Sequence, residues 1–383
     1  MKKLQVLLVA ALSAACILSG CGAKEEPAPE PAEEVVEETE AEEETEAVEE
    51  PEEAEVLPEG KARSALTGEI VDKEIADSRP IAIMLPTDKA AQPQYGIGEA
   101  GVLYECMEEG DMSRQMAVIE NWHDIETLGN VRSCRDYYVY WALEWDPILV
   151  HFGGPYYLAD VVSREDVNNI TGCAVNSTSS APGCNAFYRT SDKAAPHNAY
   201  TSGEKLIAQC ESLGYALNHE NPEYHPEHFT YATKEENTLS AQADAFDAKE
   251  VDLAGAFPYT KSALTYNEEK GLYEKSLYGS AQKDGTTGEQ LEFENVVIQF
   301  AHYETRDAKG YLAFNCHDNT HDGYYITNGK AVHVKWAKTS DYSPTKFYYD
   351  DLTPVEFNVG KTYIAVVQDD KSFTIDGETY KPE

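Results

Sequence analysis

Tyr324-Tyr-Ile-Thr-Asn-Gly-Lys-Ala-Val-His-Val-Lys-Trp336 decides how the second half of this chain folds. Two β-like runs flank Asn328-Gly329, a dipeptide that takes positive φ at little cost, so the stretch predicts a tight hairpin. Working outward, a period of two recurs from about Ser262. It shows in Leu264-Thr-Tyr, Leu272-Tyr-Glu-Lys-Ser-Leu, Val296-Val-Ile-Gln-Phe, Tyr311-Leu-Ala-Phe and Tyr363-Ile-Ala-Val-Val. Residues 256–383 therefore read as a mostly antiparallel β domain, and no repeat of fixed period runs through it.

The upstream body, residues 75–250, reads as a mixed α/β domain, which makes the whole chain α+β. Ile81 to Leu85 is a short apolar strand after Pro80. Val102–Glu108 and Gln115–Asn121 form a hairpin around Glu-Gly-Asp-Met. Ser133–Trp145 carries Tyr138, Trp141, Ala142 and Trp145 at helical spacing. Ile148–Phe152 is a buried strand, and Gly153-Gly154 opens a helix to about Arg164. Thr201-Ser-Gly-Glu204 is a capping signal for a helix that ends at Gly214. Residues 221–255, poor in apolar runs, read as the interdomain region.

The first 65 residues have other tasks. Lys2 and Lys3 precede an apolar run from Leu4 to Leu18, and Leu18-Ser-Gly-Cys21 follows. That is a secretory signal, residues 1–20, ending in a lipobox, too short for a retained membrane span. Cys21 is the expected lipidation site, and two acyl chains there give stable anchoring. Residues 21–65 read as a disordered acidic tether: positions 25 to 59 hold eighteen Glu and no Lys or Arg. Such a segment cannot bury enough apolar surface to order itself. About 35 residues at roughly 3.5 Å each reach about 120 Å. The expected location is the extracytoplasmic face of a bacterial cell membrane. Removing those eighteen acids from the formal charge of −39 leaves −21, which argues against nucleic acid as a partner. Of eight cysteines, the six beyond Cys21 sit in an oxidising compartment. Cys173 and Cys184 flank a loop that a disulfide would close.

The first half carries Arg79-Pro-Ile-Ala-Ile-Met84, Pro93-Gln-Tyr-Gly96, Tyr104-Glu105, Glu109-Gly110 and Ser113-Arg114. It continues with Val131-Arg-Ser-Cys-Arg135, His151-Phe-Gly-Gly154, Phe187-Tyr-Arg189 and Pro196-His-Asn198. Glu294–Gln299, Asn328–Ala331, Val334–Trp336 and Gly360–Tyr363 follow in the second half. In these motifs and their order the chain resembles the YerB-like lipoproteins. The resemblance implies an α+β first domain and a β-rich second domain on a lipid anchor, and it implies no activity. Cys134 and the Cys316–Asp322 run depart from the family's pattern.

Function therefore has to come from residues. Arg132 and Arg135 bracket the predicted start of the 133–145 helix, where free N–H groups favour anions. Arg114, Arg189, His197 and Asn198 are expected to join them in a ligand pocket, with Glu105 and Glu109 as counter-ions or an acid/base pair. The two glutamates lie about 13 Å apart at about 3.3 Å per residue, too far for most glycosidase pairs. The competing reading is a closed salt-bridge network. His151, near the end of a buried strand, is a ligand candidate weighed against a core histidine. His317 and His321 read as part of a polar connection between strands, and no metal or other cofactor is expected. The signatures of common hydrolases are absent. Three classes remain: a surface binding or scaffold lipoprotein recognising an envelope component or partner protein, an enzyme of unfamiliar type built on Arg114, Arg132, Arg135, His151 and His197, and a purely structural module.

Overall fold

Asp318–Thr327 and Lys330–Lys338 pair antiparallel across Asn328-Gly329, whose φ angles of 50° and 70° are those of the expected tight turn. A computed structural model describes residues 57–382, so the signal, Cys21 and most of the tether lie outside the described residues. Within the range assigned to the tether, Lys61–Arg63 is a strand paired with Ile70–Asp72. The hairpin is part of an eleven-stranded sheet drawn from both halves of the chain. Its central order is 318–327, 295–301, 362–368, 102–107, 113–119, 81–86, 148–151 and 169–171. Asn295–Ala301 and Val102–Met107 both run parallel to Thr362–Gln368, which lies between them. The second half is thus not purely antiparallel. Every residue of 81–86, 102–107, 113–119, 295–301 and 362–368 is buried, the pattern of strands covered on both faces. Lys330–Lys338, near the edge, alternates instead.

The first half is strand-dominated, so the mixed α/β expectation holds only in its broader sense. Helices are few and short: Asp136–Leu143 and Gly203–Leu213 are the principal ones. The latter follows its sequence signals, with the Ser202 hydroxyl accepting from Lys205 N–H and Gly214 in the left-handed conformation. The former begins at Asp136 and not at Ser133, because residues 132–134 are held extended. Arg132 N–H donates to the Met84 carbonyl at 2.9 Å, and Cys134 N–H to Gly153 at 3.0 Å. After Gly153-Gly154 the chain makes only a 3₁₀ turn and the one-turn helix Ala159–Val162. The supposed interdomain stretch is built in: Thr230–Ala232 pairs with Glu356–Asn358, and Phe246–Asp247 with the 330–338 strand.

A second, antiparallel sheet holds Glu250–Asp252, Ala263–Asn267, Leu272–Leu277 and Phe373–Ile375. Glu105 and Lys275 join it to the first half: both are fully buried and form an ion pair at 3.1 Å. Ser113, Ser262, Gln115 and Tyr363 also donate to the Glu105 carboxylate, at 2.6, 2.5, 2.9 and 3.0 Å. All six described cysteines are free thiols, so the Cys173–Cys184 bridge is not formed. The loop after Cys173 is closed by backbone instead, with the thiol 3.2 and 3.1 Å from the Ser177 and Ser179 carbonyls.

Candidate functional site: an arginine-lined cavity

One end of the 81–86 and 113–119 strands meets the extended 131–135 segment and the Phe152–Pro155 turn. Tyr137 and Tyr138 fix the short helix there: their hydroxyls donate to the Met107 and Cys106 carbonyls at 2.8 and 3.1 Å. The result is a cavity of about 730 Å³ lined by Arg114, Arg132, Arg135, Glu108 and Glu109. Phe152, Pro155 and Tyr311 form its apolar wall, and Ser133 with Asn176, Ser177 and Thr178 its polar one.

Two of the three arginines are already neutralised. Arg114, 2% exposed, pairs with Glu108, and its Nη1 donates to the Ser133 carbonyl and hydroxyl at 2.6 and 2.9 Å. Arg135 lies 2.9 Å from the other Glu108 oxygen, and its Nε donates to Glu109 at 2.8 Å. Burial pushes the Glu109 carboxyl up, but the Arg135 contacts outweigh it and leave its pKa below the ordinary value. Glu108, which the sequence reading did not single out, is thus the centre of the network. The only signal for it was a tandem acid pair, Glu108-Glu109, at the mouth of a hairpin. Glu105 faces the interior with Lys275 and takes no part in the cavity, so its expected role here is corrected.

Arg132 differs. No carboxylate pairs with it among the described residues, and its buried Nε, like that of Arg114, has no hydrogen-bond partner. Burial and the nearby Arg114 lower its pKa to about 10, so it stays cationic at neutral pH. Asp88 is the acid whose field reaches both Arg132 and His197. Asp88 Oδ2 and His197 Nδ1 are likewise buried atoms without partners. Burial, reinforced by Arg132 and Arg114, pushes the half-buried His197 imidazole below its ordinary pKa, towards the neutral form. Arg189 stands over the Phe152 ring at 4.8 Å. Its Nη1 donates to Asn198 Oδ1 at 2.6 Å, and Asn198 donates on to the Thr190 carbonyl at 2.8 Å. Asn198 therefore positions Arg189.

His151 is a core histidine. It is fully buried, with Nδ1 2.9 Å from the Gly153 carbonyl and Nε2 3.3 Å from Asn169 Oδ1, which corrects its place among the ligand candidates. Gly154 is required by packing: a Cβ there would lie 2.3 Å from Leu158 and 2.8 Å from the Cys134 carbonyl. The helix-start argument also falls, since Arg135 only caps the helix and Arg132 lies in extended chain. His317 faces Asp341 at 3.0 Å. No metal-ligating group of three converges among the described residues.

Fold and site together define a two-domain, strand-dominated protein with an arginine-lined cavity built by the first half and closed by Tyr311 of the second. The chain belongs to the family described as protein of unknown function DUF3048: residues 66–216 match its N-terminal domain and 253–364 its C-terminal domain. It is 25% identical over 316 residues to YerB of Bacillus subtilis (strain 168), by name a presumed lipoprotein, across 81% of this chain and 87% of the relative. The crystal structure of the Bacillus subtilis YerB protein superposes with a TM-score of 0.66 at 23% identity, covering 80% of this chain and 97% of that one. No helix among the described residues is long and apolar enough to cross a membrane.

Proposed function

We propose that this protein is a lipid-anchored binding protein at the extracytoplasmic face of the bacterial cell membrane, which takes an anionic ligand in the cavity around Arg132. Anchoring through Cys21 is supported by the lipobox and by the lipoprotein name of the Bacillus relative. The observation that carries the binding role is the contrast among three arginines on one cavity. Arg114 and Arg135 are held by Glu108 and Glu109, while Arg132 keeps its charge without a paired carboxylate. The Nε groups of Arg132 and Arg114 are both buried donors with no protein partner, a rare feature of native proteins that marks a place for a ligand or water. A guanidinium there suits phosphate or carboxylate. Three of the five residues of the enzyme reading are otherwise engaged, since His151 is buried with both ring nitrogens facing protein oxygens and Arg114 and Arg135 are ion-paired. The test is calorimetric titration of the full chain in detergent with inorganic phosphate. Saturable binding that Arg132→Gln removes while the melting transition persists supports the role. Absence of binding to the wild type leaves the purely structural alternative.

A further inference from the structure

Resting on that reading, we infer that the ligand is a glycan chain bearing repeated phosphate or carboxylate groups, gripped at two successive charges by Arg132 and Arg189. Arg189 is a second guanidinium with no paired carboxylate among the described residues, and Asn198 holds it in place. It does not line the cavity. It stands over the ring of Phe152, which does, so it flanks the cavity beside that ring. A chain with charges at intervals can place one charge in the cavity at Arg132 and the next beside it at Arg189.

The remaining walls match the neutral part of such a chain. Asn176, Ser177 and Thr178 form an exposed lip on the cavity, and the Asn176 and Thr178 side chains have no hydrogen-bond partner among the described residues. Amide and hydroxyl groups of this kind exchange hydrogen bonds with sugar hydroxyls. Phe152 and Tyr311 supply ring faces against which the C–H face of a sugar packs. The volume, about 730 Å³, is that of a ligand site and far exceeds a single phosphate. The acidity of the protein does not prevent this. At physiological salt, charges beyond about 8 Å are largely screened, and the contact cations decide.

Titration of the full chain in detergent with oligogalacturonate and with oligo(glycerol phosphate), each against its own monomer and inorganic phosphate, tests the inference and separates the two anion sources. One of the oligomers should bind at least about tenfold tighter than its monomer, the scale of one added charged hydrogen bond. Arg189→Gln should lower the oligomer-to-phosphate affinity ratio about tenfold. Because Arg189 is exposed, that variant stays folded, which its melting curve verifies. Oligomers that bind no tighter than monomers, or a ratio unmoved by Arg189→Gln while phosphate still binds, overturn the chain-like ligand and leave the anion site standing. Absence of phosphate binding removes both. A peptide of residues 25–56 that binds as tightly as the better oligomer overturns the glycan assignment in favour of an acidic polypeptide.

Discussion

Glu108 is ion-paired with Arg114 and Arg135 at once, with exposures of 6, 2 and 7% for the three side chains. Removing one partner of such a network strands a buried charge, at a cost of about 3–5 kcal/mol. Arg135→Ala should therefore lower the denaturant midpoint strongly or abolish the cooperative transition. Arg132→Gln removes no pair and should shift stability by less than about 1 kcal/mol in the same urea melts. A reversed order would mean that Arg132 is the structural member. Glu120 offers a second residue-scale test. Burial pushes its carboxyl up to about 7, against hydrogen bonds from Ser64 and Ala65. The folded state binds this proton more tightly than the unfolded chain. The contribution is complete below the unfolded carboxylate range, near 4.5, and is lost as pH rises through about 7. Glu120→Gln should flatten the stability profile between pH 5 and 8, and melts across that range would reveal an unchanged slope if the assignment is wrong.

Among elements, the hairpin at Asn328-Gly329 is the most dependent on one residue. Gly329 has φ of 70°, and a Cβ there would lie 2.9 Å from the Tyr266 ring. Gly329→Ala should cost more than about 1 kcal/mol, measured as a shift in denaturant midpoint, from backbone strain and contact together. This hairpin, the 102–119 pair and the 203–213 helix were legible because turn residues and caps act locally. The helix begun at Ser133 was misplaced because its first residues are held by strand partners far away in sequence, Met84 and Gly153. Local signals do not report such partners. The same limit applies to the site. Arg114, Arg132, Arg135 and Glu109 were found as residue types near one another, while Glu108 became visible only when the hairpin mouth met Arg135. Glu105 and His151 carried similar chemistry, yet their partners Lys275 and Asn169 turned them inward.

For the whole molecule, attachment and folding are separable. Cys21 and the acidic segment precede the described body, whose paired strands begin at Lys61. Cys21→Ala should release the protein from sedimenting membranes with its melting temperature unchanged, and continued sedimentation would point to another mode of retention. The body itself is less divisible than two family domains imply, because strands of both share one sheet. Thr362–Gln368, inserted between 295–301 and 102–107, is synthesised long after the strand 102–107 that it borders. Until it arrives, the apolar 102–107 strand has an open edge, the kind of surface that recruits other chains. Maturation is therefore gated in time: the first half waits, incomplete, for a strand made some 250 residues later. A chain stopped at residue 360 should aggregate or melt without cooperativity, and a soluble, cooperatively melting product would show that the closing strand is dispensable. A chain built this way would need to be kept from its neighbours until its closing strand arrives.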